Sequence, residues 1–160
     1  MSMAVSARAD TTYVSPDDFL KQAFIEPPKP AFLWLDKAAQ TQLTNTLGHP
    51  YPQARLRYWH IDTKNVWILD EIGKEYPITA GFIVADHKIQ RAQVLIYRET
   101  RGMEIHLPAF LAQFNGAHLS GEKLSNSIDG ITGATLSVDA MQRMARAALV
   151  LDALASERQP

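Results

Sequence analysis

No cysteine occurs among the 160 residues. That absence removes disulfides, thiolate metal sites, iron–sulfur clusters, a thiol nucleophile and the Cys-x-x-Cys-His attachment of c-type haem. Any redox chemistry must then come from a cofactor held in another way. An excess of charge is also lacking: 16 Lys and Arg stand against 17 Asp and Glu, for a formal net charge of −1. Nucleic acid and anionic membranes select a concentrated basic surface. The basic residues here are scattered, so neither is expected as the main partner. No run of about 18 apolar residues is present, and no segment of the sequence is expected to span a bilayer. The five histidines (His49, His60, His87, His106 and His118) show no paired ligand spacing, so no metal is expected in the mature domain.

What is present suits one folded domain. Hydrophobic residues make up 46% of the chain, and at this length a core burying roughly 70% of the unfolded surface is within reach. Residues 1–13 are small and polar and are expected to be flexible. Within them Ala7-Arg8-Ala9, followed by Asp10, resembles the A-x-A end of a signal-peptide cleavage region. The mature protein is therefore expected to begin near Asp10, outside the cytoplasm.

Residues 14–53 form an expected N-terminal helical segment. Ser15-Pro16-Asp17-Asp18 combines a cap, a first-turn proline and two acids at the positive end of a helix dipole, predicting a helix to about Phe24. Pro27, Pro28 and Pro30 end it. The spacing of Leu35, Ala38, Ala39, Leu43 and Leu47, with Gly48 beyond, predicts a second helix over Phe32–Leu47.

From Ala54 the pattern turns to strands. Arg55–Ile61 and Asn65–Leu69 predict one hairpin, and Ile78–Ala85 with Ile89–Tyr97 a second, about Asp86-His87-Lys88. Trp59 and Trp67 are expected in the core of that sheet. A short helix is expected over His106–Asn115, a loop over Gly116–Ile128, and a long helix over about Ser137–Ala155. The fold class is α+β: an antiparallel sheet packed with helices in a single domain, its C-terminal helix following a small-residue loop.

That loop, Asp129-Gly130-Ile131-Thr132-Gly133-Ala134-Thr135, carries the chemistry. Small residues admit close approach of a ligand to the backbone, and Gly133 can take dihedrals other residues avoid. The first N–H groups of the following helix have no partners within it, and the helix dipole adds partial positive charge there. An anion such as phosphate suits that end. A plain helix cap by Thr135 or Ser137 accounts for the same residues, and on local physics alone is the favoured reading.

Asp129 to Ser137 also resembles the flavinylation motif of the FMN-binding domain family, in which Asp, two residues and Ser or Thr precede Gly-Ala-Thr. That family includes the C subunit of sodium-pumping NADH:quinone oxidoreductase and the G subunit of the related electron-transport complex. Glu99-Thr100-Arg101-Gly102 resembles the family's Glu-Thr-x-Gly segment, with Arg101 where the respiratory subunits often have proline. The strand pair Gly81–Tyr97 and the segment Phe110–Gly116 are also similar. The resemblance is strongest over residues 78–155, and residues 54–157 are expected to form the FMN-binding domain.

The resemblance implies FMN joined through its phosphate to Thr135 by a flavin transferase that uses FAD. Thr132, Gly133, Ala134 and Ser137 would surround the phosphate. Asp129 is expected to fix the loop by accepting backbone N–H groups, or to help bind metal and substrate during flavin transfer. Glu99, Thr100 and Gly102 are expected at the isoalloxazine pocket, with Tyr97 and Met103 as packing candidates. The implied function is an extracytoplasmic, periplasmic electron-transfer flavoprotein, a carrier rather than a stand-alone enzyme. Its expected partners are the flavin transferase and a membrane reductase or a quinone or cytochrome redox partner. A regulatory sensor, and a domain binding FMN or another phosphate ligand non-covalently, are the alternatives.

Overall fold

The computed structural model describes residues 10–158. The cleavage-like Ala7-Arg8-Ala9 lies outside them. Strand β1 (Thr11–Thr12) and helix α1 (Pro16–Ala23) are followed by β2 (Ala31–Trp34) and α2 (Lys37–Leu47). Four long strands come next: β3 (Arg55–Ile61), β4 (Lys64–Ile72), β5 (Pro77–Ala85) and β6 (Lys88–Tyr97). A 3₁₀ turn at Met103–His106, the short helix α3 (Pro108–Leu111) and a second 3₁₀ turn at Ala112–Phe114 lead to β7 (Leu119–Ser120) and β8 (Lys123–Leu124). Helix α4 (Thr135–Arg158) closes the chain.

The six strands form one antiparallel sheet in the order β1-β6-β5-β4-β3-β2. Both expected hairpins are present. The first turns at Asp62-Thr63 and the second at Asp86-His87, with Asp62, Asp86 and His87 all at positive φ. Two-residue hairpin loops need such dihedrals to match the twist of their strands.

Each face of the sheet is covered by different elements. Trp67, Leu69, Phe82, Val84 and Val94 turn toward α4 and α2, where Leu43, Met141, Met144, Ala148 and Leu151 complete the main core. Val66, Ile83 and Leu95 turn the other way, against Phe19, Leu20 and Phe24 of the α1 segment. Burying each such side chain stabilises the fold by about 1.5–3 kcal/mol. Gly81 belongs to this second face: a Cβ there would lie 2.4 Å from the Phe19 ring, so the ring packs directly on backbone. Trp59 and Trp67 are both buried core residues, as expected.

A buried polar chain pins the far half of α4. Asp152 is 2% exposed. Its carboxylate accepts from Asn65 Nδ2 at 2.5 Å and pairs with His87 Nδ1 at 2.9 Å, while Asn65 Oδ1 meets His60 Nδ1 at 2.5 Å. The helix is thereby fastened to the tips of both hairpins.

Five expectations are corrected. The helix predicted over Phe32–Leu47 begins only at Lys37, capped by Asp36, whose side chain accepts from Ala39 N–H at 2.9 Å. Residues 31–34 instead pair with β3, because Leu33 fits the core face while Phe32 and Trp34 point away from it. Thr11 to Tyr13, expected within a flexible N-terminus, are instead held: Thr11 and Thr12 pair with β6 and Tyr13 N–H donates to Leu95 O at 2.8 Å. The helix over His106–Asn115 is broken into a single α turn between 3₁₀ turns, with Pro108 at its first position. The loop over Gly116–Ile128 contains the small β7–β8 hairpin, which turns at Gly121 (φ 66°). The expected C-terminal helix is longer than Ser137–Ala155, starting at Thr135 and ending at Arg158.

Candidate functional site

Three segments meet at one end of the sheet: the β4–β5 turn, the chain leaving β6, and the start of α4. Lys74 and Glu75 come from the first, residues 99–102 from the second, and residues 133–137 from the third. Together they line a cleft of about 510 Å³. A second cleft of about 450 Å³ lies beside β6 and α3, so volume does not distinguish the site. Its residues do.

The start of α4 is built by a turn. Ala134 N–H donates to Ile131 O at 3.0 Å, with Gly133 at φ 81°. Val138 N–H then donates to Ala134 O at 2.9 Å, the first bond of the helix. Ala134 therefore holds the cap position, and alanine has no side-chain acceptor to offer. The N–H groups of Thr135, Leu136 and Ser137 have no carbonyl partners within the helix, and the dipole adds to their positive character. Thr135 is exposed at the first helical residue. Neither capping candidate closes this end, because the Ser137 hydroxyl is engaged elsewhere.

Its partner is Tyr97. The Tyr97 hydroxyl lies 2.8 Å from Ser137 Oγ and also donates to Arg101 O. A phenol has one proton, so Ser137 is the donor in their shared bond. Burial pushes the Tyr97 pKa up, the nearby Glu99, Glu104 and Tyr13 add to the shift, and the hydroxyl stays protonated at neutral pH. This latch draws the 101–102 backbone against α4. Gly102 sits in the resulting gap at φ 82°, where a Cβ would lie 2.7 Å from the Tyr97 oxygen and 2.9 Å from Ser137 Oγ.

A second fastening holds the opposite wall. Glu99 Oε1 accepts from Glu75 N–H at 2.5 Å and from Tyr76 N–H at 2.8 Å. Burial acts to raise the Glu99 pKa. The N–H donors of Glu75, Tyr76 and Lys74, with the Lys74 charge, outweigh it and hold the carboxyl below its usual range. Arg98 ties the same strands by donating to Pro77 O at 2.8 Å and Thr79 Oγ1 at 3.0 Å. Three consecutive residues, Tyr97, Arg98 and Glu99, thus preform the cleft.

Of the residues named from sequence, Glu99, Thr100, Gly102, Gly133, Ala134, Thr135 and Ser137 line one cleft. Tyr97 stands behind its wall, 2% exposed. Met103 is exposed, just outside the lining, as are Thr132 and Asp129. Asp129 is anchored through its backbone rather than its carboxylate: its N–H donates to Gln113 Oε1 at 2.6 Å, and its carbonyl accepts from Gln113 Nε2 at 3.3 Å.

Lys74, Glu75 and Leu136 line the cleft without having been singled out from sequence, and Arg101 joins them as a second cation. Nothing in the polar turn Gly73-Lys74-Glu75 marks it as functional. Among the described residues, neither Lys74 nor Arg101 carries an ion pair, and no group of three or more His, Asp or Glu is placed to hold a metal ion. No described helix is long and apolar enough to cross a membrane.

Compared with protein-family models, residues 73–150 match the one described as the FMN-binding domain. The match spans all three cleft-forming segments and most of α4. The chain matches none of the curated proteins with which it was compared.

Proposed function

Residues 73–150 are an FMN-binding domain and the chain is an FMN-binding flavoprotein, and from this premise we propose that FMN is carried covalently, as a phosphodiester on Thr135, for electron transfer outside the cytoplasm. The observation that carries the reading is an exposed Thr135 at a helix end that no described side chain caps, in a cleft lined by Lys74 and Arg101 as well as Glu75 and Glu99.

The donor set fits the group. A phosphodiester keeps one negative charge, which the helix N-terminus favours by about 0.3–2 kcal/mol. Lys74 and Arg101 supply positive charge from the other two walls, and Leu136 supplies an apolar surface. Gly102 is already filled against by Tyr97 and Ser137, so that wall is fixed before any ligand arrives. When bound, the flavin supplies the one- and two-electron chemistry, and the protein supplies binding, orientation and electrostatics. The residues that line the cleft include no nucleophile–base pair for substrate turnover, which supports a carrier over a stand-alone enzyme.

Attachment requires a flavin transferase acting on FAD. The Thr135 oxygen bonds to the phosphorus of the FMN half, the pyrophosphate bond breaks, AMP leaves, and the hydroxyl proton passes to a base of the transferase. No oxidant is consumed. Glu99 acts through the β4–β5 turn, holding the segment that presents Lys74. Asp129, whose carboxylate is exposed beside the loop, remains available to the transferase rather than to the mature site. The electron donor is then a membrane reductase, and a quinone or cytochrome is the acceptor. Periplasmic placement rests on the Ala7-Arg8-Ala9 segment.

The test is co-expression with a flavin transferase, followed by the intact mass of the protein. An FMN adduct that disappears in Thr135→Ala is the expected result. An unmodified mass, or an adduct that survives the substitution, sinks covalent attachment at this residue.

A further inference from the structure

The second face of the sheet is covered by the α1 segment over β4, β5 and β6 and at Trp59 of β3, and at β2 and the start of β3 it is open. Alternation along an edge strand ordinarily places polar side chains on such a face. Here Leu33 points into the core while Phe32 and Trp34 point out, 47% and 61% exposed. On the neighbouring strand Leu56 and Tyr58 are buried while Arg55 and Arg57 point out. The register sets Phe32 opposite Arg57 and Trp34 opposite Arg55.

The side chains interleave. The Arg55 guanidinium lies 4.5 Å from the Phe32 ring centre and 5.4 Å from that of Trp34. Arg57 lies 5.2 Å from the Trp59 ring. Stacking on an aromatic face occupies the flat side of a guanidinium and leaves its N–H edge free for a planar, two-oxygen acceptor. The shallow surface that results is lined by Phe32, Trp34, Gln53, Ala54, Arg55 and Arg57, with two cations and no carboxylate. It shares no residue with the flavin cleft.

We propose that this face docks an acidic segment of a protein partner, its Asp and Glu carboxylates meeting Arg55 and Arg57 and its apolar atoms covering Phe32 and Trp34. Tryptophan and arginine are the side chains on which binding energy concentrates at protein interfaces. A second copy of the chain is disfavoured, since two-fold pairing of this face brings four arginines together. Nucleic acid is disfavoured by a formal net charge of −1 and only two cations on the surface.

The full-length protein, isotope-labelled, is titrated with an octaglutamate peptide and separately with phosphatidylglycerol vesicles, and amide shifts are followed. The proposal expects saturable shifts confined to residues 31–34 and 53–57. Those shifts should vanish near 1 M salt, where screening acts within about 3 Å. The double variant Arg55→Gln/Arg57→Gln should bind the peptide at least about tenfold more weakly, with unchanged FMN loading at Thr135. Its remaining amide spectrum reports that it is folded. The conservative pair Arg55→Lys/Arg57→Lys should recover only part of the affinity, because lysine lacks the stacked, two-pronged geometry. Shifts centred elsewhere, equal affinity in the Gln variant, or binding to vesicles but not to the peptide would each overturn the proposal. The vesicle outcome would assign the face to a membrane surface instead.

Discussion

Helices α2 and α4 begin in opposite ways. Asp36 closes α2 with a carboxylate on the N–H of Ala39, and Ser15 closes α1 in the same manner with a hydroxyl on Asp18 N–H at 3.1 Å. Helix α4, the longest in the protein, starts at Ala134, which has no acceptor to give. The one serine in its first turn that could bend back is bonded to Tyr97 instead. Where a helix start serves the fold, the sequence spends a polar side chain on it. At the start of α4 the donors stay open and the surroundings supply rigidity: the Tyr97 latch, the Glu99 clamp and the backbone of Asp129 held by Gln113.

The contrast is broken most completely by Thr135→Ala. After co-expression with a flavin transferase, the mass increment should fall from full to none, with little change in thermal stability, since residue 135 is exposed. Gly102→Ala comes next. The added Cβ meets the Tyr97 and Ser137 oxygens at a positive φ, and a loss of about 1–3 kcal/mol is expected by denaturant titration, together with slower flavin loading. A smaller effect sharpens the comparison directly. Asp36→Ala should cost about 1 kcal/mol with flavin loading intact, whereas Ala134→Ser should stabilise the flavin-free protein by up to about 1 kcal/mol while slowing loading. If both substitutions change stability in the same sense, the two helix starts are not built differently after all.

The smallest effect is in acid. Glu99 has a folded-state pKa below its ordinary value of 4.5. Its ionised form therefore favours the folded state, and this contribution is complete above 4.5 and lost as pH falls through the lower folded value. Glu99→Gln should flatten the acid limb of a stability–pH profile in that window and leave the neutral limb parallel. An unchanged acid limb would remove the clamp from the account of how Lys74 is presented.

Much of this was legible from sequence where the signal is local. The two hairpins announce themselves by alternation on either side of Asp62 and Asp86, and the long helix by its apolar spacing after Gly133. The loop and Glu99-Thr100 were legible by resemblance, and the structure places Glu99, Thr100 and the loop's end, Gly133 to Thr135, around one cleft. What stayed hidden depends on partners far along the chain. Phe32 and Trp34 fit helical spacing with Ala38 and Ala39, and only pairing with β3, about 24 residues later, makes them strand. Lys74 lies in a turn without any motif, brought to the site by a carboxylate 24 and 23 residues from the N–H groups it binds. Tyr97 carries an aromatic ring beside the motif, which suggests flavin packing. Its burial and its bond to Ser137, 40 residues on, assign it to the wall instead.

The Asp152 chain has a mechanical consequence for the opposite end of the same helix. Seventeen residues of α helix, about 25 Å, separate Asp152 from Thr135, and the anchored half can neither slide nor rotate without stranding a buried carboxylate. Helix α4 is therefore a post set in the two hairpin tips, with Thr135, the proposed attachment residue, at its free top. Any give at this end must come from the loop below it, at residues 129–133, which is held by Gln113 at Asp129 and by the packing of Ile131 against the core.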